Sequence, residues 1–295
     1  MDPTRKSQTI FLLKQSISTL PPQLRTAAKY IIDYPNDFGL DPIRETAEKA
    51  RVSTYTLVQI AKKLGYSSFE ELREPFRHAL VSTTEAIAEP DWMKEHREAS
   101  EVGSVYADAS RNAMAIVKSS LERHTPDKLE QAVDTLLGAR TVYITAVRAS
   151  YSIAYYFNYV GRMSLTSLQL IPRHMNSAID ELKDAGPEDV LIAITITPYS
   201  RETIEACKFA KNMGMKLILI TDSDVVSADF DPEHILSTSV ISTHRFGCFT
   251  GMMALVEGLI AVLIERGGEE AQKRIRSYEN LRRDYNAYWI AQKKH

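Results

Sequence analysis

"DVLIAITITPYSRETIEACKFAKNMGMKLILITDS", residues 189–223, decides the fold. It opens on "DVLIAITI", a nearly unbroken run of apolar and β-branched residues, the pattern of a strand buried on both faces. Glu202 to Met213 then carries apolar residues at helical spacing, and "MKLILIT" (215–221) is a second buried strand. Strand, helix and strand in this order make a parallel βαβ unit. The first strand and the helix are joined by a loop crowded with Thr195, Thr197, Pro198, Ser200, Arg201 and Glu202.

The same rhythm extends both ways. "TVYITAV" (141–147) and "SLTSLQLI" (164–171) precede the quoted stretch, and "HILSTSVI" (234–241) follows it. Helices are predicted over Ser152–Gly161 and Ile179–Asp184, a long one over Phe249–Glu265, and a charged one over Glu269–Trp289. Five strands alternating with helices predict a doubly wound parallel sheet ordered 2-1-3-4-5.

Upstream the chain reads as all-α. Apolar residues fall at helical spacing in "QTIFLLKQSI", "QLRTAAKYIIDYP" and "FEELREPFRHAL", punctuated by Pro21, Pro22, Pro35 and Pro42. The polar stretch "TTEAIAEPDWMKEHREASEVGSV" (83–105) has no clear period and reads as a linker ending at a longer helix near Val105. The expected organisation is therefore a helical domain over 1–82, a linker and the start of a connecting helix over 83–124, and an α/β domain over 125–295.

Within the helical part, "PIRETAEKARVSTYTLVQIAKKLGY" (42–66) has the form of a helix-turn-helix. A first helix over Ile43–Ala50 is followed by a turn at Arg51 and Val52, and Ser53 caps the second helix. Leu57, Ile60, Ala61 and Leu64 form the inward stripe. Thr54, Tyr55, Thr56, Gln59, Lys62 and Lys63 are left facing outward. Gln59 has the groups to pair with adenine, and Lys62 and Lys63 suit phosphates. Residues 1–82 hold 12 Lys+Arg against 9 Asp+Glu, a mild basic bias that permits double-stranded DNA as a partner.

The 295 residues allow one large domain or two ordinary ones. No apolar run is long enough to span a membrane, and the N-terminus is not of secretory type. The two cysteines, Cys207 and Cys248, make neither a disulfide framework nor a zinc set. A cytoplasmic location is expected, with no cofactor and no metal.

"LDPIRETAEKARVSTYTLVQIAKKLGYSSFEELREPF" (40–76) resembles the DNA-binding domain of the RpiR family of bacterial transcription regulators. Two positions depart from the family pattern. Arg51 stands where the turn glycine is usual, which implies a left-handed or otherwise strained residue at a cost of order 1 kcal/mol. Gln59 stands where arginine is common. The resemblance implies that the C-terminal part is a SIS (sugar isomerase) domain that senses phosphosugars. "DVLIAITITPYSRETIEACKFAKNMGMKLILITDS" is similar to that domain's second ligand loop and the helix behind it.

The resemblance places Thr195, Thr197 and Ser200 at the hydroxyl positions of this loop, with Arg201 opening the helix whose N-terminus favours an anion. Pro198 replaces a glycine and removes a donor. The first ligand loop is "ITAVRASYS" (144–152), where Ala146 and Arg148 replace glycines and Ser150 is retained. Arg148 either fills the site or grips an anion bidentately. A third strand end, "ISTHRFG" (241–247), adds Ser242, His244 and Arg245.

The leading expectation is a transcription regulator, assembled as a homodimer or homotetramer, that binds operator DNA and a small anionic metabolite such as a phosphosugar or sugar acid. A sugar-phosphate isomerase would need a positioned base, for which Glu202 and His244 are the candidates. A constitutive DNA-binding dimer with a vestigial pocket is the third reading.

Overall fold

The computed structural model describes residues 4–83, 89–174, 176–227, 229–244 and 246–289. The chain divides into two compact units. One comprises Met1–Ala115, Asp222–Ala228 and Ser242–Arg245; the other comprises Ile116–Thr221, Asp229–Ile241 and Phe246–His295.

The first unit is helical. It contains α1 (Thr4–Ser16), α2 (Pro22–Asp33), α3 (Pro35–Leu40), α4 (Ile43–Lys49), α5 (Thr54–Lys63), α6 (Phe69–Thr83) and α7 (Asp91–Ala99), and α8 (Glu101–Leu121) begins in it. Prolines open α2 and α3 at positions whose N–H has no helical partner. Leu13, Leu20, Ile31, Leu57, Ile60 and Leu72 are fully enclosed. Phe38 anchors this core, meeting Phe69 and Phe76 edge-on at 5.5 and 5.0 Å between centroids.

The stretch expected to be a linker is helical from Asp91, and the division between the units falls inside α8. The reason is chemical. Met93 is the one side chain of α7 that is buried, so this short helix is lightly anchored. Charge pairs contribute instead. Arg97 meets Asp108 at 2.8 Å and Glu89 at 2.9 Å, and Arg111 meets Glu89 at 2.8 Å.

The second unit continues with α9 (Pro126–Leu137), β1 (Val142–Thr145), α10 (Ser150–Gly161), β2 (Leu168–Ile171), α11 (Ala178–Leu182), β3 (Val190–Ile194), α12 (Arg201–Asn212), β4 (Lys216–Thr221), β5 (His234–Ser237), α13 (Thr250–Arg266) and α14 (Gly268–Asp284). The five strands form one parallel sheet in the order β2-β1-β3-β4-β5, as the sequence predicts. Val190, Ile192 and Ile194 enter a core with residues of α9, α10 and α13. Leu191 and Ala193, one residue out of phase and equally buried, face the other side, where α12 packs on β3 and β4. β5 closes at Ser237 and α14 at Asp284, both short of the expected ends.

The start of β3 is pinned electrostatically. Arg140 Nε donates to Asp189 Oδ1 at 3.0 Å, and the Gly186 N–H donates to Asp189 Oδ2 at 2.9 Å. Asp189 is fully buried, and the Arg140 guanidinium beside it holds its carboxyl below the usual carboxylate range.

Candidate functional site

The first candidate surface lies on α5. Arg51, in the turn before it, takes φ 54°, the left-handed form of the strained backbone that its place in the motif implies. Ser53 is the N-cap, and its Oγ accepts the Thr56 N–H at 3.1 Å. Gly65, at φ 87°, ends the helix. It lets the Tyr66 N–H reach the Ala61 carbonyl at 2.9 Å, while the Gly65 N–H reaches that of Lys62 at 3.0 Å. Leu57, Ile60 and Ala61 are buried.

Ser53, Thr54, Tyr55, Lys62 and Lys63 are exposed, and Gln59 is half-buried. Thr56 corrects the expected outward face. It is buried, and its hydroxyl lies 2.9 Å from Ser53 Oγ. Its position one turn from Ile60, beside Leu57, puts it on the inner side, and the cap uses its polar groups.

The second candidate surface lies at the carboxyl ends of β1 and β3. These strands are neighbours, and their following helices, α10 and α12, lead to strands on opposite sides, β2 and β4. The β1/β3 junction is therefore the topological switch point, where the loops diverge and leave a crevice. Arg148 is exposed and sits at φ 56° in the β1–α10 loop. Ser150, the first residue of α10, is buried.

On the β3 side, Thr195 is buried and its Oγ1 accepts the Ser200 N–H at 3.3 Å. Thr197 and Ser200 are half-buried, and the Thr197–Pro198 peptide is cis. Arg201 is exposed at the first position of α12. Glu202 occupies the next, where a carboxylate suits the helix dipole without any further role. Arg148 and Arg201 enter no ion pair among the described residues, and both are exposed.

His244 is exposed, and its N–H donates to Ser242 Oγ at 2.9 Å. It belongs to the first compact unit, not to the one that contains β1 and β3. Arg245 lies outside the described residues. Two features of the second unit had no signal in the sequence. Tyr199 is half-buried in the β3–α12 loop. The Ser239 N–H, beyond β5, donates to Ser120 Oγ at 3.0 Å, a buried link between residues 119 apart in the chain. Among the described residues no cluster of side chains suited to a metal occurs, and no helix is long and apolar enough to cross a membrane.

The SIS domain family matches residues 135–272, the part of the chain that holds the five-stranded parallel sheet. Over 279 residues the chain is 25% identical to an uncharacterized HTH-type transcriptional regulator, YfhH, of Escherichia coli strain K12, covering 91% of this chain and 96% of that one. The fold is similar to that of the Vibrio vulnificus NanR protein, solved in complex with ManNAc-6P, with TM-score 0.57 and 16% identity over 96% of this chain and 100% of that one. It is also similar to the sugar isomerase domain of an RpiR transcription factor from Sphaerobacter thermophilus, with TM-score 0.55 and 22% identity over 60% of this chain and 98% of that one. With the form of a helix-turn-helix ahead of the SIS-domain match, the chain is similar to HTH-type transcriptional regulators and, in fold, to the RpiR sugar isomerase domain.

Proposed function

We propose that this protein is a DNA-binding transcription regulator whose SIS domain senses a small anionic metabolite, a phosphosugar or a sugar acid, and that it works as a homodimer or homotetramer. The observation that carries the sensing role is the β1/β3 switch point. Arg148, Thr197 and Ser200 stand there on loops that lead into the N-termini of α10 and α12, with Arg201 opening α12. Hydroxyls donate to ligand oxygens, and the guanidiniums supply countercharge. NanR's complex with a sugar phosphate on a similar fold supports the same ligand class here. The DNA role rests on α5, whose exposed Thr54, Tyr55, Lys62 and Lys63 flank the half-buried Gln59. Ligand and operator are coupled if the ligand prefers one of two arrangements of the paired reading helices.

A second reading, a vestigial pocket, has one observation in its favour. Arg148 occupies a left-handed position at which a glycine would leave backbone open to a phosphate. An isomerase activity would fall to Glu202 as base, an exposed residue at a helix start. A thermal-shift screen of the full chain with phosphosugars and sugar acids tests the sensing role. A true effector at 100 times its Kd raises stability by about 2.7 kcal/mol and changes operator affinity. Turnover of a phosphosugar by the same sample, without any effect on operator binding, would establish the enzyme instead.

A further inference from the structure

One face of the second unit is rich in aromatic side chains that stay exposed among the described residues. Tyr151, Tyr155 and Tyr159 recur every fourth residue along α10, opposite Ile153, Ala154 and Phe157, which enter the core. Their rings form a ladder with centroids 6.4 Å apart at each step. All three are exposed, Tyr155 by 53%. Arg162 closes the ladder with its guanidinium 5.9 Å from the Tyr159 centroid.

The surface continues onto α14. Tyr278 neighbours Tyr159 and helps to raise its hydroxyl pKa, and Arg282 lies 4.7 Å from the Tyr278 ring and 5.3 Å from the Tyr288 ring. Ala271 is the one buried residue recorded for this 17-residue helix, while Leu281, Tyr285 and Trp289 are exposed by 51, 79 and 89%. A helix with so little burial gains little from its own subunit, although tertiary packing is what normally stabilises one.

We infer that the Tyr151–Tyr155–Tyr159 ladder together with α14 is the face on which two copies of this chain pair. The inference rests on the homo-oligomer reading above and gives it an interface. Three arguments favour a second copy as the occupant. The exposed parts of the ladder tyrosines, Tyr285, Tyr288 and Trp289 come to roughly 800 Å², the share one partner contributes to a stable dimer. The composition, tyrosine and tryptophan with arginine, is that of interface centres and hot spots. The patch is also complementary to itself. It carries both aromatic rings and the guanidiniums of Arg162 and Arg282 that stack on such rings, and a two-fold pairing brings the same patch together from both sides.

Sedimentation velocity on the full chain, across nanomolar to micromolar concentrations, tests this. Wild type is expected to be at least dimeric. Tyr155→Glu places a charge in the ladder and raises the dissociation constant about 30-fold or more, which yields 33.3 kDa monomer, or a dimer if the wild type is a tetramer. Tyr155→Phe keeps the ring and pairs as wild type does. Trp289→Glu is the second probe, used with Tyr155→Glu and in its place if circular dichroism shows that Tyr155→Glu is unfolded. A wild-type dimer whose affinity neither charge changes overturns this face and leaves the oligomer reading standing. A wild type that is monomeric at micromolar concentration overturns both.

Discussion

The Ser200 N–H donates to Thr195 Oγ1 at 3.3 Å, spanning the loop that joins β3 to α12. That bond divides the hydroxyls of the loop into two kinds. Thr195 is buried and spends an acceptor on holding the loop, whereas Thr197 is half-buried and forward of it. Thr195→Val is expected to lower stability by about 1 kcal/mol, the worth of one hydrogen bond, and to loosen the loop. Thr197→Val keeps the shape of the side chain, deletes its hydroxyl and is expected to abolish the response to effector. Calorimetry and operator titrations with and without effector separate the two. A melting temperature of Thr195→Val equal to that of wild type would remove the structural role given to Thr195.

Arg51 and Arg148 are a matched pair of experiments, because both hold the left-handed conformation, at φ 54° and 56°. Glycine at either position relieves the strain and is expected to raise stability by about 1 kcal/mol. Arg148→Gly and Arg148→Ala both remove the guanidinium, but only glycine also relaxes the backbone. Loss of effector response in both, with added stability in the glycine variant alone, identifies the guanidinium as the anion's partner. A tighter response in Arg148→Gly shows that the arginine obstructs the site.

The α5 surface makes separate predictions for its polar residues. Lys62→Ala weakens binding to all DNA sequences alike and lowers the slope of log K against log salt by about one. Gln59→Ala relaxes preference at one base position, by about 1–3 kcal/mol. Thr56→Val acts on folding rather than on recognition, since Thr56 is buried against Ser53, and Ser53→Ala costs about 1 kcal/mol through the lost cap. Electrophoretic or fluorescence titrations at several salt concentrations check these. An unchanged salt slope in Lys62→Ala removes that phosphate contact.

Acid sensitivity is expected to centre on Asp189. Arg140 holds this carboxyl below its usual range, so the folded state binds the proton less readily than the unfolded chain does. The stability contributed is fully present above the unfolded value of about 3.9 and is lost as the pH falls through the lower folded value. Asp189→Asn should lower stability at neutral pH by about 2 kcal/mol, the worth of a charge-assisted bond, and flatten the loss below pH ~4. Urea titrations at a series of pH values measure both. Parallel curves for wild type and variant would assign the acid limb to other carboxylates.

The sequence alone determined the architecture, because the signals that specify it are local. Continuous runs such as "VLIAI" (190–194) mark strands covered on both faces, and their alternation with helices leaves few topologies to choose from. The helix-turn-helix was legible for the same reason. The Ser53 cap, the stripe of Leu57 and Ile60, and the glycine at 65 act within a few residues of one another. A strained turn at Arg51 followed from its place in that motif, and the structure shows it to be left-handed.

What depends on packing at a distance was decided only by the tertiary structure. Thr56 reads as a polar helix residue, and only the position of its neighbours shows that it faces inward. α7 buries a single side chain, Met93, and ion pairs from Arg97 to Glu89 and Asp108 accompany it. The Ser120–Ser239 link joins residues 119 apart. The loops that carry Arg148 and Thr197 lie at the same end of the sheet only because β1 and β3 are parallel neighbours. The tyrosines at 151, 155 and 159 read equally well as core until Ile153, Ala154 and Phe157 take that side of α10. A helix has two faces and a strand two sides, and which of them meets water is set by the rest of the chain.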